Sequence, residues 1–393
     1  MMIPIVFLFI ILKCNALGDL SSGASDFSIE LVRSTELDNV VIATFPVWSL
    51  IASLSIWTQG EFKEQIFNVL RLPRNRTVFL NEYSTLERTL FVKKSSSVNI
   101  SNKIFVLVND KYILYPEFKK IMMRHFGAVI ETINTEYNEE AARTADDFIF
   151  EHMNSIFNIF EPEDFVNITM IMSSAITFES QFKSKFNVSE TTVEKYNYNN
   201  KTYLFQMMHQ TLKLPYSNIP SLNADVMELE FGDDGKFSLL LILPNLRTNM
   251  KEVYNKLNTV TLKYVFDKLQ SDVDKFGLKE VHLKLPKVKI NTKIVLNKPL
   301  SNIGLKHILE PEKSEFSGIV SDDLYITTID HSCEIHIGET GVYAIASTPG
   351  YRDMNIFGSD LEAEQPFIFF VMEKTTQTIM LGGLYSKPVY IMN

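Results

Sequence analysis

The apolar residues of this chain change their spacing along its length, and no linker separates the two patterns. Through the first third they recur at helical spacing, whereas from residue 166 onward short apolar runs typical of strands dominate. The sequence contains no repeat, no low-complexity segment and no Pro/Gly/Ser-rich linker. Helices followed by strands predict an α+β fold, and the missing linker predicts one domain over residues 17–393.

The same patterns predict individual elements. The predicted helices are Val47–Trp57, which is apolar nearly all round, Glu61–Leu70, Tyr115–Phe126 and Glu139–Met153. The predicted strands are Lys103–Val108, Val166–Thr177, Asp225–Phe231, Phe237–Leu243, Glu280–Leu285, Leu324–Ile329, Cys333–Ile337, Phe367–Met372 and Thr378–Leu384, the last two joined as a hairpin.

The first residues are typical of a secretory signal. Met1–Leu12 is almost wholly apolar, Lys13 follows it, and Ala16 offers a small residue at a cleavage point. This apolar run is shorter than the roughly 20 residues that a membrane span needs. The sequence therefore predicts a signal peptide over residues 1–16, with a buried N-terminal strand as the alternative.

Asn-X-Ser/Thr acceptor sequences agree with secretion. Each can carry a glycan when the chain passes through the secretory pathway. Five of them predict a glycosylated, extracellular protein, and they begin at Asn75, Asn99, Asn167, Asn187 and Asn200.

Cysteine content and charge limit the fold and its partners. Loss of Cys14 with the signal leaves Cys333 alone, so the fold must be held by its core without an internal disulfide. A net charge of −9 argues against nucleic-acid and anionic-membrane partners. Two short basic clusters, Arg71-Arg74-Arg76 and Lys119-Lys120, are interpreted as solvated faces.

Motifs of ordinary catalysis are missing from the sequence. It has no G-x-S-x-G elbow, no P-loop and no H-E-x-x-H pair. His331 and Cys333 would share one face of a strand and His336 the other, so the three side chains do not converge on a metal. Cys333 is interpreted as a small buried apolar residue. We therefore expect no enzymatic activity, no metal and no cofactor.

Several segments, in order over residues 26–388, resemble the serpin family. Asn39 to Leu50 is similar to its N-x-V-x-S-P-x-S segment, and Ser174–Phe178 with Phe182 and Phe186 to its N-A-x-x-F…W…F segment. Further similarities are Gly235 to Asn245, Leu285–Ile290 (L-P-K-F-K-I), Phe316–Ile319 (F-S-G-I), Gln365–Phe370 and Gly382–Pro388. The residues Val47-Trp48-Ser49-Leu50 of the first segment resemble those of insect members of the family.

This resemblance implies three β-sheets, about nine helices and an exposed reactive-centre loop above the main sheet, over about residues 341–362. It also implies a monomer whose partner is an extracellular serine protease. Family inhibitors are metastable: the protease cleaves the loop, stays attached as an acyl-enzyme, and is displaced when the cut loop inserts into the main sheet.

The resemblance places the hinge of that loop at Glu339 and Gly341, which match the family pattern. An inserting strand directs alternate residues to the core. The set assigned to the core is compact throughout: Val342, Ala344, Ala346 and Thr348. The outer set is bulkier: Tyr343, Ile345, Ser347 and Pro349. Pro349 cannot donate to a sheet, at a cost on the order of 1–3 kcal/mol, and is expected to slow insertion.

The gate through which the loop would insert departs from the family pattern. His331 corresponds to the family's buried histidine, but the positions of its usual Asn and Ser partners hold Ser174, Ala43 and Pro46. The hydrogen-bond network around His331 is therefore expected to have fewer members than in the family. Phe182 replaces a family tryptophan and loses an N–H donor.

The cleaved bond can be placed only by counting from Gly341 with the family's spacing, which gives Asn355-Ile356. We take Met354 to Ile356 as the candidate region and Arg352, the basic residue suited to a trypsin-like pocket, as the rival.

Two functions remain open. The hinge favours a protease inhibitor, whereas Tyr343, Pro349 and the altered gate favour a non-inhibitory serpin acting as an extracellular binding, carrier or signalling protein, such as a seminal or haemolymph protein.

Overall fold

A computed structural model of the chain describes residues 20–36, 39–92, 98–153, 160–198, 201–245, 247–257, 259–310, 316–320, 329–347 and 366–386. The predicted signal peptide lies outside these residues, and so does the predicted strand Leu324–Ile329 apart from Ile329.

Within the described residues the chain forms nine α-helices, most of them in its first half. They are α1 (20–34), α2 (Thr44–Leu54), α3 (Gly60–Leu70), α4 (Arg76–Glu87), α5 (Pro116–His125), α6 (Asn138–Met153), α7 (Met250–Lys256), α8 (Leu262–Phe276) and α9 (Asn297–Asn302). A π-helical turn, Arg88–Val92, continues α4, and short 3-10 turns occupy Pro162–Phe165, Val188–Glu190 and Lys306–Leu309.

The main sheet has six strands in the order β11-β12-β13-β4-β2-β3. Its pairs are antiparallel except β2 with β3, which is parallel. The strands are β2 (Val98–Asn109), β3 (Val129–Ile133), β4 (Met170–Gln181), β11 (Val288–Val295), β12 (Asp330–Gly338) and β13 (Gly341–Ser347).

A second six-stranded sheet, here called the buried sheet, has the order β1-β15-β14-β9-β8-β7, and all its pairs are antiparallel. Its members are β1 (Val40–Ile42), β7 (Tyr216–Ile219), β8 (Ala224–Phe231), β9 (Phe237–Pro244), β14 (Phe367–Glu373) and β15 (Thr378–Tyr385). The strands β14 and β15 form the predicted hairpin. Every residue of β14 is buried, which explains its continuous apolar sequence.

A small sheet has the order β10-β6-β5 and is antiparallel throughout. It contains β5 (Thr192–Tyr198), β6 (Lys201–Leu214) and β10 (Lys279–Pro286). The three sheets and nine helices confirm the α+β fold that the sequence predicts.

The core lies on both faces of the main sheet. All eleven residues of α2 are buried, and this helix contacts β4 of the main sheet and β15 of the buried sheet. Helix α6 covers the opposite face, where Ala141, Ala145 and Ile149 pack with Phe105 and Leu107 of β2. The main sheet is therefore enclosed by apolar side chains on both sides over this region.

Strand β4 begins later than the sequence predicts. The prediction was Val166–Thr177, but the strand runs from Met170 to Gln181. A 3-10 turn at Pro162–Phe165 and a left-handed Asn167, with φ 55°, occupy the residues before it. Apolar content alone does not distinguish such a turn from the start of a strand.

The largest correction concerns the segment from Gly341 to Ser347. The resemblance places it at the start of an exposed loop, whereas the structure places it in the main sheet as strand β13. It pairs on one edge with β12, from Gly338↔Gly341 to Ser332↔Ser347, and on the other with β4, from Gly341↔Gln181 to Ser347↔Ala175. This segment is therefore a central strand of the sheet.

Candidate functional site

The candidate site is the hinge, the turn and strand in which β12 reverses direction into β13. Gly338 pairs with Gly341, so Glu339 and Thr340 alone make the turn. Two backbone amides hold it from outside: Phe182 N donates to Thr340 O at 2.9 Å, and Phe186 N donates to Glu339 O at 2.9 Å. The hinge is thus fixed to the segment that follows β4.

Gly341 is required by the close approach of two backbones. A Cβ atom at this position would lie 1.9 Å from the carbonyl oxygen of Ser180 and 2.7 Å from the Cα of Gln181. No side chain fits there while β13 pairs with β4. The hinge glycine that the sequence identified therefore has a direct steric reason in the inserted arrangement.

Alternate side chains of β13 enter the core. Val342 is 2% exposed, Ala344 0% and Ala346 2%, and all three belong to the large apolar cluster between the sheets. These are the described members of the set that the alternation assigned to the core. Small side chains suit this position because the strand lies between two others in a close-packed interior.

The outer face of β13 has two different environments. Tyr343 is 40% exposed, with its ring 6.1 Å from that of His336 on β12. Ile345, by contrast, packs against the apolar cluster beneath α6. The sequence placed both side chains outside the sheet, but the helix cover gives Ile345 an apolar partner that local sequence cannot show.

An ion pair stabilises the turn. The Glu339 carboxylate lies 3.1 Å from Lys287 Nζ and accepts a hydrogen bond from Thr191 Oγ1 at 3.0 Å. Burial raises the pKa of Glu339, but hydrogen bonds from its own backbone, Lys287 and Thr191 outweigh burial and hold the pKa below its ordinary value. The carboxylate therefore stays charged and tethers the hinge to the junction between β10 and β11 and to the residue that precedes β5.

The predicted gate residues lie where the described part of β13 ends. Ser347 pairs with Ser332 and with Ala175, so His331 and Ser174 come next along the two neighbouring strands. Both are buried. The backbone N–H of Ala43 donates to His331 Nε2 at 3.1 Å, which requires a neutral ring nitrogen as acceptor. Burial lowers the pKa of His331 from 6.5 to about 3.

Ser174 differs from His331 in its bonding. Its hydroxyl makes no hydrogen bond within the part of the chain that the structure describes. An unsatisfied buried hydroxyl costs about 1–3 kcal/mol. The hydroxyl of Thr44, next to Ala43, is buried in the same condition. The roles of His331 and Ser174 in opening the sheet remain a prediction.

Aromatic rings surround the top of β4. Phe182 stacks on Phe231 with ring centroids 5.4 Å apart, and its edge faces Phe186 at 5.9 Å. The phenyl ring thus keeps the packing expected of a large aromatic residue at this position. Lys183, the next residue, pairs with Glu230, which also binds Lys374.

The histidine and cysteine cluster of β12 divides between two faces. Cys333 lies in the core, and burial raises the pKa of its thiol. His336 is on the opposite face, 2.6 Å from the Glu334 carboxylate. Across the described ranges no group of three His, Cys, Asp or Glu side chains is arranged to hold a metal ion.

Some predicted site residues lie outside the described residues: Thr348, the candidate bond residues Arg352, Met354, Asn355 and Ile356, and the acceptor Asn200. The remaining acceptors Asn75, Asn99, Asn167 and Asn187 are described, and all four side chains are exposed. Among the helices that the structure describes, none has the length and apolar content to cross a membrane.

Sequence reasoning missed three contributors to the site. These are Lys287, Thr191 and the backbone amide of Ala43. The match of Leu285–Ile290 to a family strand could have directed attention to Lys287, because a lysine at a strand end can pair with a hinge carboxylate. A backbone donor such as Ala43 leaves no trace in the side-chain sequence.

Comparisons with known proteins agree with this architecture. A family model described as Serpin (serine protease inhibitor) matches residues 22–388. The leukocyte elastase inhibitor of Xenopus tropicalis is 25% identical over 382 residues, covering 94% of this chain and 100% of the relative. The chain therefore belongs to the serpin family.

Solved structures show the same fold. Cleaved Serpin 42Da superposes with a TM-score of 0.78 at 20% identity, covering 94% of this chain and 99% of its own. The thermophilic serpin Tengpin in the latent state gives 0.77 at 18% identity, with 93% and 96% coverage.

The buried state of His331 predicts an acid-dependent loss of stability. Because its pKa falls from 6.5 to about 3 on folding, the unfolded chain binds a proton below pH 6.5 that the folded chain does not. This histidine should remove about 2 kcal/mol from the free energy of unfolding between pH 6.5 and 5, and nothing above pH 6.5. Urea unfolding at several pH values measures it.

The substitution His331→Gln should abolish this part of the pH dependence, because an amide oxygen can accept from Ala43 N–H without titrating. His336→Gln, on the half-exposed face of the same strand, is the control and should keep the wild-type slope. An unchanged slope in His331→Gln would show that His331 is not held neutral by burial.

Proposed function

We propose that this chain is a secreted serpin that inhibits an extracellular serine protease by loop cleavage and insertion into the main sheet. The observation that carries the proposal is strand β13. Gly341 to Ser347 pairs on both edges within the main sheet, and its core-facing side chains are compact and buried. A sheet that accepts the hinge can accept the rest of a cut loop by the same pairing.

The proposed reaction begins with the protease. Its serine oxygen attacks the carbonyl carbon of the loop bond, an ester forms, and the amine that follows the bond leaves as a new N-terminus. The candidate bond lies within Met354 to Ile356, with Arg352 as the rival for a trypsin-like enzyme. Insertion of the cut loop then carries the attached protease away from the hinge before water can cleave the ester.

The energy for this movement comes from the sheet. Residues added to β13 gain hydrogen bonds to β12 and to β4 in alternation, because both strands lie beside it. Each hydrogen bond gives a net gain of about 1 kcal/mol. Summed along a strand, this gain exceeds the cost of Pro349, which is on the order of 1–3 kcal/mol. Pro349 is therefore expected to reduce the rate of insertion without preventing it.

The structure also offers an observation in favour of a non-inhibitory serpin. Strand β13 already occupies the main sheet in the uncleaved chain. Residues within that strand cannot also belong to an exposed loop that a protease would cleave. The buried hydroxyl of Ser174 has no partner within the described ranges, and the ring of Tyr343 is exposed. Both features fit a protein whose function does not depend on rapid insertion of the loop. The alternative function is an extracellular binding, carrier or signalling protein.

Incubation with trypsin, chymotrypsin and elastase distinguishes the two functions. The inhibitor should give an adduct with one protease that survives denaturing electrophoresis. Ala344→Arg should lower the adduct yield by at least about tenfold and release cleaved chain, because its charge would enter the core at a fully buried position. Tyr343→Arg is the matched control and should stay within about twofold of wild type, since that side chain is exposed.

Clean cleavage of the wild-type loop without an adduct, by every protease tested, would contradict inhibition and support the non-inhibitory function. Equal adduct yields from Ala344→Arg and wild type would contradict insertion along β13. Thermal melting of the uncleaved variants checks that each is folded.

Secretion is a separate part of the proposal. It is supported by the signal-like residues 1–16 and by the exposure of all four described acceptor asparagines. The acceptor geometry of Asn75 also suits modification, because its Oδ1 caps α4 by accepting from Val78 N while Nδ2 remains for a glycan.

Expression of the complete chain in a eukaryotic secretory host should deliver it to the medium with an N-terminus at residue 17. Endoglycosidase treatment should lower its mass, and Asn75→Gln should remove one glycan from the pattern, which mass spectrometry records. Retention of an unprocessed, unglycosylated chain inside the cells would contradict secretion.

A further inference from the structure

One row of side chains crosses the outer face of the main sheet, from β2 to β11. Residues directly opposite each other on antiparallel strands share a face of the sheet. The register gives the row, here called the outer row, as Asn99↔Glu179↔Tyr343↔His336↔Lys289. All five residues are exposed or half-exposed, so the row is accessible from outside the sheet.

Helix α6 covers the neighbouring row but stops short of this one. There Ser101 Oγ contacts Met153 Sδ at 3.9 Å, and Ile345 packs with the apolar cluster beneath the helix. Met153 is the last residue of α6. Tyr343, two residues from Ile345 on the same face of β13, is 40% exposed. The described part of the chain therefore leaves much of an aromatic side chain uncovered on a central strand.

The ring of Tyr343 is held in place from one side. The His336 ring lies with its centroid 6.1 Å from that of Tyr343, in an edge-to-face arrangement. The Glu334 carboxylate, 2.6 Å from His336 Nε2, fixes this histidine in turn. An aromatic side chain whose position is already fixed offers a large apolar area at little further cost in conformational entropy. The exposed part of Tyr343 is thus a preorganised contact surface.

An acceptor for N-glycosylation lies in the same row. Asn99 begins the sequence Asn99-Ile100-Ser101, and its side chain is exposed, whereas the preceding Val98 is buried on the other face. At this position β2 pairs with β4, and its pairing with β3 begins only at Phe105. Among the described strands, β2 therefore has a free edge beside Asn99, which leaves room for a glycan.

The separation of Asn99 and Tyr343 suits the first sugars of such a glycan. Two strand spacings lie between them, which is roughly 9.5 Å, and the first two sugar rings span a distance of this order. Glu179 lies between the two residues, and its exposed carboxylate can accept hydrogen bonds from sugar hydroxyls and from the acetamide N–H. The C–H face of a pyranose ring is apolar, so it suits contact with the Tyr343 ring.

We propose that the N-linked glycan of Asn99 lies along the outer row, packs on Tyr343 and stabilises β13 in the main sheet. It removes the Tyr343 ring from water, as α6 does for Ile345. A glycan attached within the row has a high effective concentration there, which favours it over a separate protein as the occupant. This inference rests on the proposed secretion, because the chain acquires such a glycan only in the secretory pathway.

Hydrogen–deuterium exchange of residues 341–347 tests the proposal on the mature, uncleaved chain from a eukaryotic host. Mass spectrometry of the peptide that contains Asn99 first shows whether the glycan is attached. Asn99→Gln removes the glycan and keeps an amide side chain. It should increase the exchange rate of residues 341–347 about threefold, because opening of β13 no longer breaks the contact between the sugar and Tyr343.

Variants of Tyr343 assign this effect to its ring. In a Tyr343→Thr background, Asn99→Gln should leave the exchange rate unchanged, because the contact is already lost. Tyr343→Phe keeps the ring and should keep the full effect of Asn99→Gln. Asn75→Gln is the matched control: it removes an acceptor on α4, outside the outer row, and should leave the exchange of residues 341–347 unchanged in either background.

A chain made in a bacterial cytoplasm separates the sugar from the asparagine side chain. It carries no N-linked glycan, so Asn99→Gln should have no effect on the exchange of residues 341–347 in that material. An equal increase in the bacterial and the eukaryotic chain would assign the effect to the amide and overturn the proposal.

The other outcomes distinguish this inference from the proposed secretion. Equal exchange of the glycosylated chain and Asn99→Gln, or an undiminished effect in the Tyr343→Thr background, would overturn the packing and leave secretion standing. So would an unmodified Asn99 in a chain whose other acceptors carry glycans. Absence of glycans from every acceptor would overturn both. No protease is used, so the result does not depend on the proposed inhibition.

Discussion

Strand β13 hydrogen-bonds on both edges, to β12 and to β4, and the arrangement around the hinge depends on that double pairing. It holds only because Gly341 lets two backbones approach where a Cβ would lie 1.9 Å from a carbonyl oxygen. Small side chains then enter the core at Ala344 and Ala346, and a two-residue turn reverses the chain. The Glu339–Lys287 pair and the amides of Phe182 and Phe186 fix this turn from outside.

The same sheet contains features that favour and features that oppose further insertion. Two edges that both accept hydrogen bonds favour it, and so does the apolar cover that α6 provides for Ile345. Pro349 lacks a donor, and the buried hydroxyl of Ser174 has no partner within the described ranges. In the proposed insertion this balance affects the rate more than the equilibrium, because a whole strand gains more free energy than one lost hydrogen bond removes. Rate is what separates an inhibitor from a substrate, since the acyl-enzyme can hydrolyse while the strand moves.

Local pattern predicted much of this fold and some of the site. The period of two assigned Val342, Ala344 and Ala346 to the core, where all three are buried, because alternation is a property of any strand. It also placed Ile345 outside, where α6 gives that side chain an apolar partner. The sequence could not reveal that this strand is already in the sheet, because pairing depends on β4, more than 150 residues earlier in the chain. The Ala43 donor and the helix above Ile345 could not be predicted for the same reason, because each contact joins residues that are distant in sequence.

The most direct measurement is hydrogen–deuterium exchange on the intact, uncleaved chain, read on a peptide that covers residues 341–347. If β13 is a central strand of the main sheet, its amides should exchange as slowly as those of the neighbouring strand β12. Exchange as fast as that of an unstructured peptide, while β12 stays protected, would contradict the account, because the hinge would then lie outside the sheet before cleavage.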